Sequence, residues 1–154
     1  MEKKYLEIIP FNEVVVYPES LQDRINSCDL SRVDDQKDFG LFHTEITSAY
    51  KVLPKIIKIK KDEFFDGDEL IRYMAKQEYR PANFYELLAF RRFNKDYPMR
   101  RKMHIISNAY RVSQAGYKAP TLYRTSPDDC ELLVTYHSNS LQQGSKVLFV
   151  KIVF

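Results

Sequence analysis

Two helix openings stand close together in the middle of this chain, and both ends of the chain read as strand. Asp66 is a capping residue with Glu69 three positions on, and Asn83 repeats the pattern with Glu86. An Asn or Asp side chain accepts from the exposed amides of a first helical turn, and an acidic side chain at the third position answers back to the cap. Leu70, Ile71 and Met74 supply an apolar face after the first opening. Phe84, Leu87, Leu88 and either Phe90 or Arg91 supply one after the second. Pro81 keeps the residues before the second helix extended, and that helix is expected to end near Asn94, ahead of Pro98.

The flanking segments carry strand patterns. Tyr5–Ile9 stops at Pro10, and Val14, Val15 and Val16 stop at Pro18. Ile57 and Ile59 alternate with Lys58 and Lys60, so one side of that strand meets water. Leu132, Val134 and Tyr136 alternate in the same way. Lys146–Phe154 is apolar on both sides, which suits an inner strand covered on both faces. Leu21 and Ile25 suggest a short helix, 29–40 reads as an acidic surface loop, and 41–50 alternates loosely. The expected fold is α+β: two central helices packed on a mainly antiparallel sheet. With 154 residues and neither a repeat nor a low-complexity linker, one domain over 1–154 is expected.

Only four glycines occur, which leaves little room for glycine-loop architectures or many tight hairpins. Eleven tyrosines and ten phenylalanines, with no tryptophan, provide the bulk of a sizeable core. No run of about 18 apolar residues is present, and the first residues lack the pattern of a signal peptide. Cys28 and Cys130 are too few and too far apart for a disulfide framework. The expectation is a cytoplasmic protein with no membrane contact.

Chemical motifs are scarce. GxGxxG, GxxxxGK[ST] and GxSxG are absent, so nucleotide cradles and hydrolase elbows have no support. His43, His104 and His137 are widely separated, with no HxxxH or CxxC spacing for a metal, and read as ordinary surface or half-buried histidines. The two cysteines read as buried and inert. The carboxylates around Gly67 (Asp62, Glu63, Asp66, Asp68 and Glu69) lack the alternation of a calcium loop, and helix capping accounts for them. No catalytic residue, metal or cofactor is assigned.

The charge distribution is the strongest functional signal. Residues 1–50 hold five Lys and Arg against ten Asp and Glu, and 51–154 hold nineteen against eleven. Within the basic part, 91–124 carries nine basic residues and a single acidic one, Asp96. Arg91, Arg92, Lys95, Arg100, Arg101, Lys102, Arg111, Lys118 and Arg124 are interleaved with tyrosines, among them Tyr97 and Tyr110. Arg91, Arg92 and Lys95 are expected on the exposed side and end of the second helix. Basic groups with aromatics between them suit phosphate contact and base stacking. The leading expectation is a non-catalytic binding or protein-interaction module with a basic surface from 91–124. The alternative is a nucleic-acid-binding protein using the same segment. Either way the partner is an acidic macromolecule, nucleic acid or an acidic protein surface.

The stretch Tyr79-Arg80-Pro81-Ala82-Asn83-Phe84-Tyr85-Glu86-Leu87-Leu88-Ala89-Phe90 resembles a segment of small uncharacterised bacterial and phage-like proteins. The resemblance extends over roughly 77–154 and includes the terminal Phe149-Val150-Lys151 run. The same arginine-proline helix opening is similar to that of C-type-lectin-like folds, which implies a helix beside a short, irregular antiparallel sheet. The lack of tryptophan, of paired cysteines and of a calcium-binding carboxylate cluster departs from that group, so no functional residue is carried over.

Overall fold

The computed structural model describes residues 5–60, 65–97, 102–106, 111–113, 116–126 and 128–154. The elements run β1 (Leu6–Pro10), β2 (Val14–Val16), α1 (Leu21–Asn26), β3 (Arg32–Val33), a 3-10 helix (Gln36–Phe42), β4 (Tyr50–Ile59), β5 (Phe65–Asp66) and α2 (Gly67–Ala75). They continue with β6 (Arg80–Pro81), α3 (Phe84–Phe93), β7 (Met103–His104), β8 (Arg111–Ser113), β9 (Gly116–Ser126), β10 (Asp129–Ser138), β11 (Ser140–Leu141) and β12 (Lys146–Val153). The fold is α+β, as the sequence predicts.

The main sheet runs β1-β4-β12-β7-β9-β10-β3, with β2 beside β4, β6 beside β12 and β8 beside β9. Pairing is antiparallel except at β12–β7 and β10–β3. β12 lies inside the sheet, against β4 on one side and β6 and β7 on the other. Its apolar run therefore fills two cores at once.

Alternation along each strand sends successive side chains to opposite faces. On one face Val52, Ile56, Leu122, Leu132, Leu148 and Val150 pack with Phe84, Leu87, Leu88 and Phe90 of α3 and Ile25 of α1. On the other, Ile57, Ile59, Val147 and Phe149 pack with Leu70 and Met74 of α2. Helices thus cover both faces of the sheet.

The two helix openings differ. Asn83 accepts from the Glu86 amide at 2.8 Å and the Glu86 carboxylate accepts from the Asn83 amide at 2.9 Å, a complete reciprocal box. Asp66 instead accepts from the Asp68 amide at 3.0 Å. α3 ends at Phe93, one residue before Asn94. Residues 29–40 are more ordered than a plain loop. β3 adds two residues to the edge of β10, and Asp35 caps the 3-10 helix through the Lys37 amide. The loose alternation over 41–50 does not form a strand. Most of 43–49 has no regular structure, because the 3-10 helix carries the chain through Phe42 and β4 begins at Tyr50.

Candidate functional site

Most described cations of the basic run are held by the fold. The sequence allows Arg91 on either the buried face or the exposed side of α3; it is buried, which corrects its place in the exposed basic run. Its guanidinium donates from Nε to the Cys28 carbonyl at 3.0 Å, from Nη1 to the Lys95 carbonyl at 2.8 Å and from Nη2 to the Asp29 carbonyl at 3.3 Å. The planar fork of arginine reaches three carbonyls at once, which a point charge cannot do. It stitches the end of α3 to the turn after α1. Arg124 works the same way from β9, donating to the Lys95 and Tyr97 carbonyls at 2.9 Å and to Ser126 at 3.1 Å.

Arg92 pairs with Glu19 at 2.7 Å, and its guanidinium lies 5.0 Å from the centre of the Tyr17 ring. Lys95 pairs with Asp29 at 2.8 Å and holds that carboxyl below its ordinary range. Tyr97 is half-buried, edge-on to Phe11 with centroids 5.1 Å apart. Lys102 and Lys118 are exposed. Arg100, Arg101, Tyr110 and the side chain of Arg111 lie outside the described residues. The described part of the run therefore divides into clamps at the α3–β9 junction and two outward lysines on the β7–β10 side.

A second polar group was hidden by sequence distance. Antiparallel register places Tyr117 opposite His137, Ala119 opposite Thr135 and His104 opposite Thr121. Paired residues share a face, so all six lie together across β7, β9 and β10. The His104 and His137 rings stack with centroids 3.5 Å apart and 7° between planes. His104 Nε2 meets the Tyr117 hydroxyl at 2.9 Å. His137 Nε2 lies 2.7 Å from the Thr135 hydroxyl and 2.9 Å from that of Thr121. Thr121 gives its own proton to the Ala119 carbonyl, so this arrangement favours Nε2 of His137 as a donor into the hydroxyl pair.

Burial drives both imidazoles toward the neutral form. His104 falls well below its ordinary range, by desolvation and then by His137. His137 falls to about 4, by desolvation and then by the charge of Lys102. Burial likewise pushes the Tyr117 hydroxyl up. Parallel stacked rings do not converge their lone pairs on one point, and among the described residues no three His, Cys, Asp or Glu side chains group as metal ligands. The alternation Tyr117-x-Ala119-x-Thr121 against Thr135-x-His137 was the signal available in the sequence. It required knowing that β9 and β10 pair.

A third group surrounds Glu86, whose side chain is fully buried. Arg80 embraces its carboxylate with two hydrogen bonds of 2.7 and 2.8 Å, and the Tyr50 hydroxyl donates to it at 2.8 Å. Burial and then the Glu86 charge push Tyr50 up to about 12. Each carboxylate oxygen already has internal partners.

The thiols are also enclosed. Cys28 donates to the Leu88 carbonyl at 3.3 Å, and burial raises it to about 11. Burial raises Cys130 as well. A concavity of about 790 Å³ beside α1 and β3 includes Asp29, Asp34 and Asp35. These carboxylates serve Lys95, the Val134 amide and the Lys37 amide. No helix among the described residues is long and apolar enough to cross a membrane. No protein-family model, curated protein or solved structure matches the chain.

Proposed function

We propose that the protein is a non-catalytic protein-interaction module. The observation that carries this reading is the inward commitment of its reactive and phosphate-competent groups. Arg91 and Arg124 bind backbone carbonyls, Arg92 and Lys95 are ion-paired, and Glu86 is saturated. Groups so engaged would have to break internal bonds to hold a phosphate or activate a substrate. Exposed Leu41 and Tyr136, at 56% and 53%, leave apolar surface for a protein partner. Two unpaired, buried thiols suit a reducing cytoplasmic setting. The lectin-like resemblance over 77–154 belongs to the same proposal, supported by the Arg80–Pro81 opening of α3.

Nucleic-acid binding is the second reading. Lys102 lies 5.9 Å from the centre of the Tyr123 ring, and both are on the β7–β9 side. Cation and aromatic together fit a stacked base and its phosphate.

The two readings separate in one experiment. Binders are selected from a displayed library of random peptides, and synthetic copies are titrated alongside short single- and double-stranded oligonucleotides at about 50 mM salt. The module reading expects peptide binding and no oligonucleotide binding. Oligonucleotide binding with a steep salt slope, and no peptide selected, overturns it.

A further inference from the structure

Arg24 of α1 is buried, with 4% of its surface exposed. Its guanidinium lies 4.3 Å from the centre of the Tyr85 ring, and its Nη2 donates to the Tyr17 carbonyl. Its Nε is enclosed and has no hydrogen-bond partner among the described residues. A buried N–H without an acceptor is costly, and more so on a charged group. Among the described residues, Glu19 is the carboxylate whose charge acts on Arg24, and it is already paired with Arg92 at 2.7 Å. Arg92 itself adds positive charge beside Arg24. Two guanidinia therefore share one carboxylate, and one positive charge is left over.

The same groups line a cavity of about 10 Å³ between α1 and α3. Its polar walls are Tyr17, Glu19, Arg24, Ser27 and Arg92, and Leu88 lies on its apolar side. That is room for about one water-sized sphere and for no polyatomic anion. Arg92 and Glu19 are 34% and 27% exposed, so one side of the group meets solvent. The Ser27 hydroxyl donates to the Arg24 carbonyl at 2.7 Å, and a hydroxyl rotor can turn from there to a new acceptor.

We propose that the cavity between α1 and α3 binds a single chloride-sized anion, which accepts from Arg24 Nε with Arg92 and Ser27 beside it. Size and charge together choose the occupant. A water molecule would accept from Nε and leave the surplus charge unbalanced. A chloride ion does both, and a buried charge is tolerated when it is paired and hydrogen-bonded. Sulfate, phosphate and carboxylates have the right sign and exceed the space. The Glu19 carboxylate stays on Arg92 and limits the site to one anion. A chloride held there fastens α1 to α3, so it stabilises the folded chain as any ligand of the native state does. The site is independent of whether the protein binds a peptide.

The test uses the full chain in sodium chloride and in sodium methanesulfonate of equal ionic strength, the second anion being too large for the cavity. Arginine Nε–H resonances, assigned through the backbone, are followed by NMR, and urea denaturation is measured in the same buffers. The Arg24 Nε–H signal should shift saturably with chloride and stay in place with methanesulfonate. At about nine times the dissociation constant read from that titration, the unfolding equilibrium constant should be about tenfold smaller than in methanesulfonate. Arg24→Met keeps an unbranched apolar stem without the charge and should remove the difference between the two salts. An Arg24 signal that ignores chloride, or moves equally in both salts, overturns the site and needs only the unaltered protein. That outcome leaves a water molecule as the acceptor for Nε. A salt difference that persists in Arg24→Met places the chloride elsewhere and overturns the site as well.

Discussion

The imidazoles of His104 and His137 lie face to face, 3.5 Å apart, on β7 and β10, the two strands that flank β9. Both are held neutral by burial, His137 down to about 4. The unfolded chain takes up these protons near pH 6.5, and the folded chain withholds them. Stability is then unaffected above about pH 6.5 and falls as pH drops toward about 4, by about 1.4 kcal/mol per pH unit for each withheld proton. Urea midpoints across this window should decline less steeply for His137→Gln than for the wild type. Parallel declines would show that the pair does not control acid sensitivity.

Glu86 should be the most sensitive carboxylate. Replacing it by Ala leaves the Arg80 guanidinium, the Tyr50 hydroxyl and the Asn83 amide without their shared acceptor. Arg80 is 43% exposed and keeps access to water, so losing the shared acceptor costs about 2–3 kcal/mol, less than in a fully buried pair. Chemical denaturation of Glu86→Ala should give a loss in that range, and Glu86→Gln a smaller one. A change below about 1 kcal/mol in Glu86→Ala would contradict the role of this cluster.

Gly116 predicts a purely steric effect. A Cβ there would meet the Tyr136 hydroxyl and, at 2.6 Å, the His137 carbonyl. The hydroxyl can swing away, but the carbonyl belongs to the β9–β10 ladder. Gly116→Ala should cost about 1–3 kcal/mol and perturb amide shifts at the ends of both strands. Unchanged shifts would show that the ladder adjusts without strain.

What could be read from the sequence was local. The Asn83–Glu86 box, the buried Phe84, Leu87 and Leu88, and the inner placement of Lys146–Val153 follow from cap chemistry and apolar pattern within a few residues. The destination of Arg91 did not, because its acceptor at Cys28 lies 63 positions away and is a carbonyl any residue could supply. The histidine stack depends on β9 pairing with both β7 and β10, and a one-residue slip would send His137 to the opposite face. The charge run was visible, but its direction was set by tertiary contacts.

The central claim is that Arg91, Arg92, Lys95 and Arg124 first serve the fold, and that the exposed Lys102 and Lys118 contribute little to its stability. Arg91→Lys tests it most directly, because it keeps the charge and removes the fork. Three charge-assisted bonds to backbone carbonyls, the one to Cys28 buried, cannot be remade by one ammonium, so denaturation should show a loss of about 2–3 kcal/mol. Lys102→Ala and Lys118→Ala should stay within about 0.5 kcal/mol of the wild type. An Arg91→Lys protein as stable as the wild type, with weakened binding to an acidic partner, would contradict the account and return Arg91 to the binding surface.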